Sequence, residues 1–173
     1  MKIFTLLLAL VSVAEAQMPP ARGVPDPSND RARSEVARTT AVTDHLRVSY
    51  ASRLRVLPGE SVRLALDIQP RPAMHVYAPG ADAYQVITLR IEEQPFIRPE
   101  PVQYPASEIY LFEPLDERIP VYQKPFTLTR VIRFDNSPQA LAAFRGTGTV
   151  TLTGTLEYQA CDDKVCFRPE RIP

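Results

Sequence analysis

The chain has 173 residues, with 20 Lys or Arg against 20 Asp or Glu, 45% hydrophobic residues and 18 prolines. Balanced charge leaves no global field to attract nucleic acid or anionic lipid, and the basic residues, nearly all Arg, are scattered singly along the chain. With only 6 glycines and 2 histidines, no phosphate-cradling loop, nucleophile elbow, Ser-His-Asp ordering or paired-carboxylate motif stands out, so hydrolase and nucleotide chemistry are not expected.

The first element is a secretory signal over residues 1–16. Met1-Lys2 leads into the apolar run Ile3 to Val13, and small residues follow at Ala14 and Ala16, so cleavage is expected before Gln17. The run is shorter than the roughly 20 residues that cross a membrane, and no longer one follows, so the mature chain is expected to carry no transmembrane segment. No cysteine follows the signal at a position suited to lipid attachment. Export to the periplasm or the medium is the expectation, with a retained N-terminal anchor as the alternative. Residues 17–40 are rich in Pro, Arg and Ser with few large apolar residues, which predicts a flexible leader.

From about residue 41 to 173 the pattern is that of one β domain, large enough to bury a core without disulfides. Val62, Leu64, Leu66 and Ile68 alternate on one face of a strand that follows the Pro58-Gly59 turn. Ile87, Leu89 and Ile91 form a second face. Phe126, Leu128, Ile132 and Phe134 form a third, interrupted by Arg130, which is expected at the rim or against a carboxylate. Val150, Leu152, Leu156 and Tyr158 form a fourth, with Gly154 in register where another backbone can approach. Helical spacing is confined to Ser137 to Phe144. Short strands at regular intervals, prolines at edges and turns, and no βαβ alternation predict an all-β fold, an immunoglobulin-like antiparallel β-sandwich, with a closed barrel as the alternative.

The last strand runs into Cys161, then a polar Asp162-Asp163-Lys164 turn, then Cys166. A hairpin with four intervening residues can bring the two Cα atoms within the roughly 4.4 to 6.8 Å of a disulfide, so a bond is expected in the oxidised protein. Three readings compete for the pair. A structural staple is common in exported proteins, yet a loop this short adds only about 2 kcal/mol to a domain that already has a core. A Cys₂His₂ metal site would need His45 and His75, whose spacing is not that of a zinc signature. A dithiol that cycles suits a hairpin tip, which projects both sulfurs toward a docking protein. Lys164 favours a thiolate while Asp162 and Asp163 oppose it. No bound cofactor is expected under the third reading. The runner-up is a non-enzymatic binding or chaperone module with an inert disulfide.

The segment YQACDDKVCFRP resembles the signature of the N-terminal periplasmic domain of the thiol:disulfide interchange protein DsbD. Met74-His75-Val76-Tyr77-Ala78-Pro79-Gly80 is similar to the H-x-Y-x-P strand end of its relatives, and the resemblance spans roughly residues 42–173. It implies an immunoglobulin-like sandwich with a terminal redox hairpin, in which Cys161 and Cys166 exchange disulfides. The implied partners are membrane or periplasmic thiol-disulfide oxidoreductases. It also implies a cap over the disulfide, which by position comes from Tyr110 to Leu115, with Phe112 and then Leu115 as the covering residues. Tyr158, Tyr77 and His75 are the expected surroundings, although such tyrosines and a lone histidine are commonly structural. Neither the multi-span membrane domain nor the thioredoxin domain of the full-length family member is read in the chain, so the electron donor is expected to be a separate protein. The chain stops at Pro173, where relatives continue a strand, so a short last strand or a truncation is expected.

Overall fold

The computed structural model describes residues 37–53, 56–57, 59–113, 116–147 and 150–173. The signal, most of the leader and the expected cap residue Leu115 lie outside them. Among the described residues twelve strands and one helix follow in order: β1 (Arg38–Val42), β2 (Leu46–Ala51), β3 (Ser61–Pro70), β4 (His75–Tyr77), β5 (Thr88–Ile91), β6 (Ile97–Pro99), β7 (Glu108–Phe112), β8 (Glu117–Tyr122), β9 (Phe126–Phe134), α1 (Pro138–Thr147), β10 (Gly154–Tyr158), β11 (Ala160–Cys161) and β12 (Glu170–Ile172). Arg38, Thr39 and Thr40, at the end of the expected leader, belong to β1.

One layer is the sheet β1-β2-β3-β9-β6. The other consists of β12-β10-β5 and β11-β4-β8-β7, which meet where β10 passes through Gln159 into β11 and where the Ile87 amide donates to the Tyr77 carbonyl at 2.9 Å. All strand pairs are antiparallel. Between the layers Leu46, Val48, Leu66, Ile68 and Leu128 of the first pack with Leu89, Leu156, Tyr158, Ile172, Val76, Tyr122 and Ala160 of the second. This is the immunoglobulin-like β-sandwich that the alternating pattern predicts, since each strand turns one face inward.

The longest pairing joins β3 to β9, from Ser61 opposite Arg133 to Ile68 opposite Phe126. Along β3 the inward set Val62, Leu64, Leu66 and Ile68 alternates with exposed Ser61, Arg63, Ala65 and Asp67, as the period of two requires. The turn before it needs the left-handed backbone of Gly59, at φ 84°. Arg130 is half-buried and, among the described residues, meets backbone rather than a carboxylate: Nε donates to the Glu100 carbonyl and Nη1 to the Leu89 carbonyl, both at 2.6 Å. It therefore ties β9 to β5 across the layers, its charge satisfied by backbone oxygens. At Gly154 a Cβ would stand 2.7 Å from the Arg90 carbonyl, so only glycine lets β10 approach β5 here. That strand starts at Gly154, so Val150 and Leu152 fall before it.

The helix α1 runs further than its spacing predicts. Ser137 caps it, its hydroxyl accepting from the Ala140 amide at 3.3 Å, and Pro138 occupies the first turn, where a missing amide hydrogen costs nothing. Tyr110 to Phe112, expected as part of the cap, lie in β7 at the edge of the β11-β4-β8-β7 sheet.

Candidate functional site

Register places the site on one face of that sheet. Cys161 pairs with His75, Tyr77 with Val121, Ile119 with Tyr110, and Glu117 with Phe112. Side chains directly opposed across a ladder share a face, so all of these project to the same side. The intervening residues Ala160, Val76 and Tyr122 turn the other way into the main core. On the site face Tyr77, Ala81, Ile119, Val121 and Cys161 form a second, smaller core, with Tyr84, Val86, Tyr110 and Phe112 packed against it.

The cysteines close the terminal hairpin. The Asp162 amide donates to the Val165 carbonyl at 3.0 Å and the Phe167 amide to the Ala160 carbonyl at 2.9 Å, which leaves Cys161 and Cys166 as the pair between two ladder bonds. Non-hydrogen-bonded antiparallel pairs approach closely. The two Cα atoms are 4.1 Å apart and the sulfurs are bonded to each other. At the tip the Asp162 carboxylate accepts from the amides of Lys164 and Val165, both at 2.7 Å. Those two amides hold its pKa below the usual aspartate value.

The two sulfurs are not equivalent. Cys161 is 1% exposed, whereas Cys166 is exposed. Beneath them stands Tyr77, whose hydroxyl lies 2.9 Å from Cys161 Sγ and 3.3 Å from Cys166 Sγ. Burial, reinforced by Tyr84, Glu117 and Tyr110, pushes the Tyr77 phenol up to about 12, so it keeps its proton at neutral pH and stays a donor. A disulfide sulfur is a weak acceptor and a thiolate a much stronger one, so the contact strengthens when the bond opens.

His75 is 3% exposed, its ring stacked at a tilt on Tyr110 (centroids 4.6 Å) and set edge-on to Tyr77 (5.7 Å). The Tyr110 hydroxyl donates to Asp163 Oδ1 at 3.3 Å, so β7 reaches the hairpin tip through this residue. Burial and the Asp163 carboxylate hold the Tyr110 phenol above its usual value. Phe112 packs on the cluster that contains Cys161 and Tyr77. Two residues that the sequence does not single out complete the group: Tyr84 stacks on Tyr77, and its hydroxyl donates to Glu117 Oε2 at 2.9 Å. Neither lies in a motif or at a telling spacing.

Tyr158, expected beside the sulfurs, faces the main core instead. The alternation that buries Tyr158 and Ala160 turns Cys161 to the opposite side, and the Tyr158 hydroxyl bonds to Thr43 at 2.9 Å and donates to Glu170. His45 also belongs there: its ring lies 4.3 Å from Phe167, and Nδ1 is 3.0 Å from Glu170 Oε1 but outside hydrogen-bond geometry. Among the described residues no group of three or more His, Cys, Asp or Glu is arranged to hold a metal ion, and no helix is long and apolar enough to cross a membrane.

Burial lowers the His75 pKa from 6.5, opposed by Asp163 and Asp162. The folded state therefore resists a proton that the unfolded chain accepts, and stability should fall as pH drops below about 6.5, toward the lowered folded value, by less than about 1.4 kcal/mol per pH unit. His75→Gln should remove this slope. Denaturation midpoints of both proteins at about pH 7.5 and about pH 5 check it, the native domain losing more than the variant.

Residues 43–172 match the family described as thiol:disulfide interchange protein DsbD, N-terminal. Among solved structures, the N-terminal periplasmic domain of ScsB from Proteus mirabilis is 14% identical with a TM-score of 0.53. The match covers 79% of this chain and 49% of that one, so the present chain spans about half of the ScsB domain. The GAE domain of GGA2p from Saccharomyces cerevisiae is 9% identical with a TM-score of 0.44, covering 79% of this chain and 94% of that one. No curated protein matches. With 43–172 matched, a stretch that contains both cysteines, their hairpin and every described strand except β1, the chain belongs to the DsbD N-terminal family of thiol:disulfide interchange proteins.

Proposed function

We propose that this is an exported exchange domain that passes electrons between a membrane or periplasmic donor and periplasmic oxidoreductases through Cys161 and Cys166. The signal at residues 1–16 would direct export, and the leader from residue 17 up to β1 would tether the sandwich. One observation carries the reading: an exposed and a buried cysteine are bonded to each other over a protonated tyrosine hydroxyl.

That asymmetry supports an order of events. A thiolate of a reduced partner attacks Cys166 Sγ, the partner–Cys166 bond forms, the Cys161–Cys166 bond breaks, and its electron pair leaves on Cys161 Sγ. Tyr77 donates a hydrogen bond to that sulfur without giving up its proton. The second partner thiolate then attacks the partner's own sulfur in the mixed disulfide and expels Cys166. Two electrons and two protons have moved from the partner dithiol to the domain, and donation to an oxidised partner runs through the same intermediate in reverse. Phe112, with Tyr110 over His75 and Asp163, would shield the buried side of the bond, so that only a partner shaped to the hairpin reaches Cys166.

The domain, reduced and freed of small thiols, is mixed with a protein disulfide of the exchange type, and the thiols on both proteins are alkylated and weighed at intervals. Loss of two thiols from the domain should match gain of two on the partner within seconds to minutes. Retention of both thiols over hours would refute the proposal.

A further inference from the structure

Tyr84 lies between β4 and β5 and is held at three points. Its amide donates to the Ala81 carbonyl at 3.0 Å, in the turn that follows the left-handed Gly80. Its ring stacks on Tyr77 with centroids 4.1 Å and planes 15° apart. Its hydroxyl is tied to Glu117, the first residue of β8. Tyr77 also makes a T-shaped contact with His75, ring centroids 5.7 Å apart. Tyr77 can move its hydroxyl away from the sulfurs only by swinging the whole ring about its Cα–Cβ bond, because rotation of the ring plane leaves the para position on its axis. A flat ring anchored at both ends blocks that swing, whereas simple filling of the gap would need no tether to Glu117.

We propose that Tyr84, anchored to Glu117, is a positioning residue for disulfide exchange: it holds the Tyr77 hydroxyl at the point where charge arrives on Cys161 Sγ as a partner thiolate bonds to Cys166. The inference rests on the exchange reading above. In this role Tyr84 acts wholly through Tyr77, which makes the claim separable from packing.

The test is the rate at which dithiothreitol reduces the disulfide of the full chain, followed across pH, together with the denaturation midpoint of each variant. Tyr77→Phe should slow reduction by about tenfold, the scale of a hydrogen bond to a charged group. Tyr84→Leu should slow it several-fold, and Tyr84→Phe, which keeps the stack, should recover most of the rate. In the Tyr77→Phe background Tyr84→Leu should change nothing further, since no hydroxyl remains to be positioned. Glu117→Ala, which leaves every aromatic ring in place, should show a smaller slowing with the same dependence on Tyr77. An unchanged rate and pH profile in both Tyr84→Leu and Glu117→Ala, or equal slowing with and without the Tyr77 hydroxyl, would overturn the inference, whatever the midpoints do. A native disulfide that dithiothreitol leaves intact while the domain stays folded would instead sink the exchange reading.

Discussion

A Cys161→Ser domain is expected to trap an oxidised periplasmic oxidoreductase as a stable mixed disulfide, while a Cys166→Ser domain traps almost none. In the first variant the exposed Cys166 remains free to attack a partner disulfide, and the residue that would release the partner, by attacking Cys166 Sγ, is gone. In the second the only thiol is Cys161, at 1% exposure and walled in by Tyr77, Ile119 and Val121. An attacking sulfur must line up with the partner's S–S bond, and a side chain sealed on the site face of the sheet has no such approach. Net exchange should fall to background in both variants, so the trap, read on a non-reducing gel, separates the roles. Equal trapping by Cys166→Ser would mean that the sulfurs have been assigned the wrong way round.

Leu128→Ala should destabilise the domain more than complete reduction of its disulfide. Leu128 is fully buried opposite Leu66 in the longest strand pairing, and truncating such a side chain costs about 2 to 5 kcal/mol through lost burial and the cavity left behind. Opening a loop as short as Cys161–Cys166, five residues apart, releases chain entropy worth only about 2 kcal/mol. The reduced domain should therefore stay folded and unfold cooperatively at a modestly lower urea midpoint. A domain that cycles needs this property, because it must survive each turnover without its cross-link. If reduction unfolds the domain while Leu128→Ala only weakens it, the disulfide is a staple.

The two-layer fold was legible because inward and outward residues separate cleanly on its long strands. Val62, Leu64, Leu66 and Ile68 are apolar on one side with Ser61, Arg63 and Asp67 on the other, and only a strand with one wet face gives that pattern. β7 was not legible. Its residues are apolar on both faces: Tyr110 and Phe112 turn to the site, while Ile109 and Leu111 are 57% and 46% exposed on an edge strand. With no wet face to alternate against, and Pro114 close behind, the segment reads as a loop.

The site was legible where its parts are near in sequence. Cys161 and Cys166 share a hairpin, and the two-residue step from His75 to Tyr77 puts both rings on one face of β4. Tyr158 misled, because three residues back from Cys161 along a strand lies on the other side of the sheet. Tyr84 and Glu117 gave no local sign at all: the bond between them joins residues 33 positions apart, across the β4–β5 connection and the start of β8. Such contacts follow from register, which the local pattern of a single chain constrains only through its buried face.

The measurement that bears most directly on exchange is the reduction potential of the Cys161–Cys166 pair in the isolated domain, read by equilibrating it in graded thiol buffers and counting alkylated cysteines. Exchange proteins lie between about −120 and −270 mV, whereas structural disulfides of secreted proteins sit below about −300 mV. A value in the first range is expected, with the domain folded on both sides of the transition. A potential below about −300 mV would contradict exchange and leave the pair as an inert staple at the end of the sandwich.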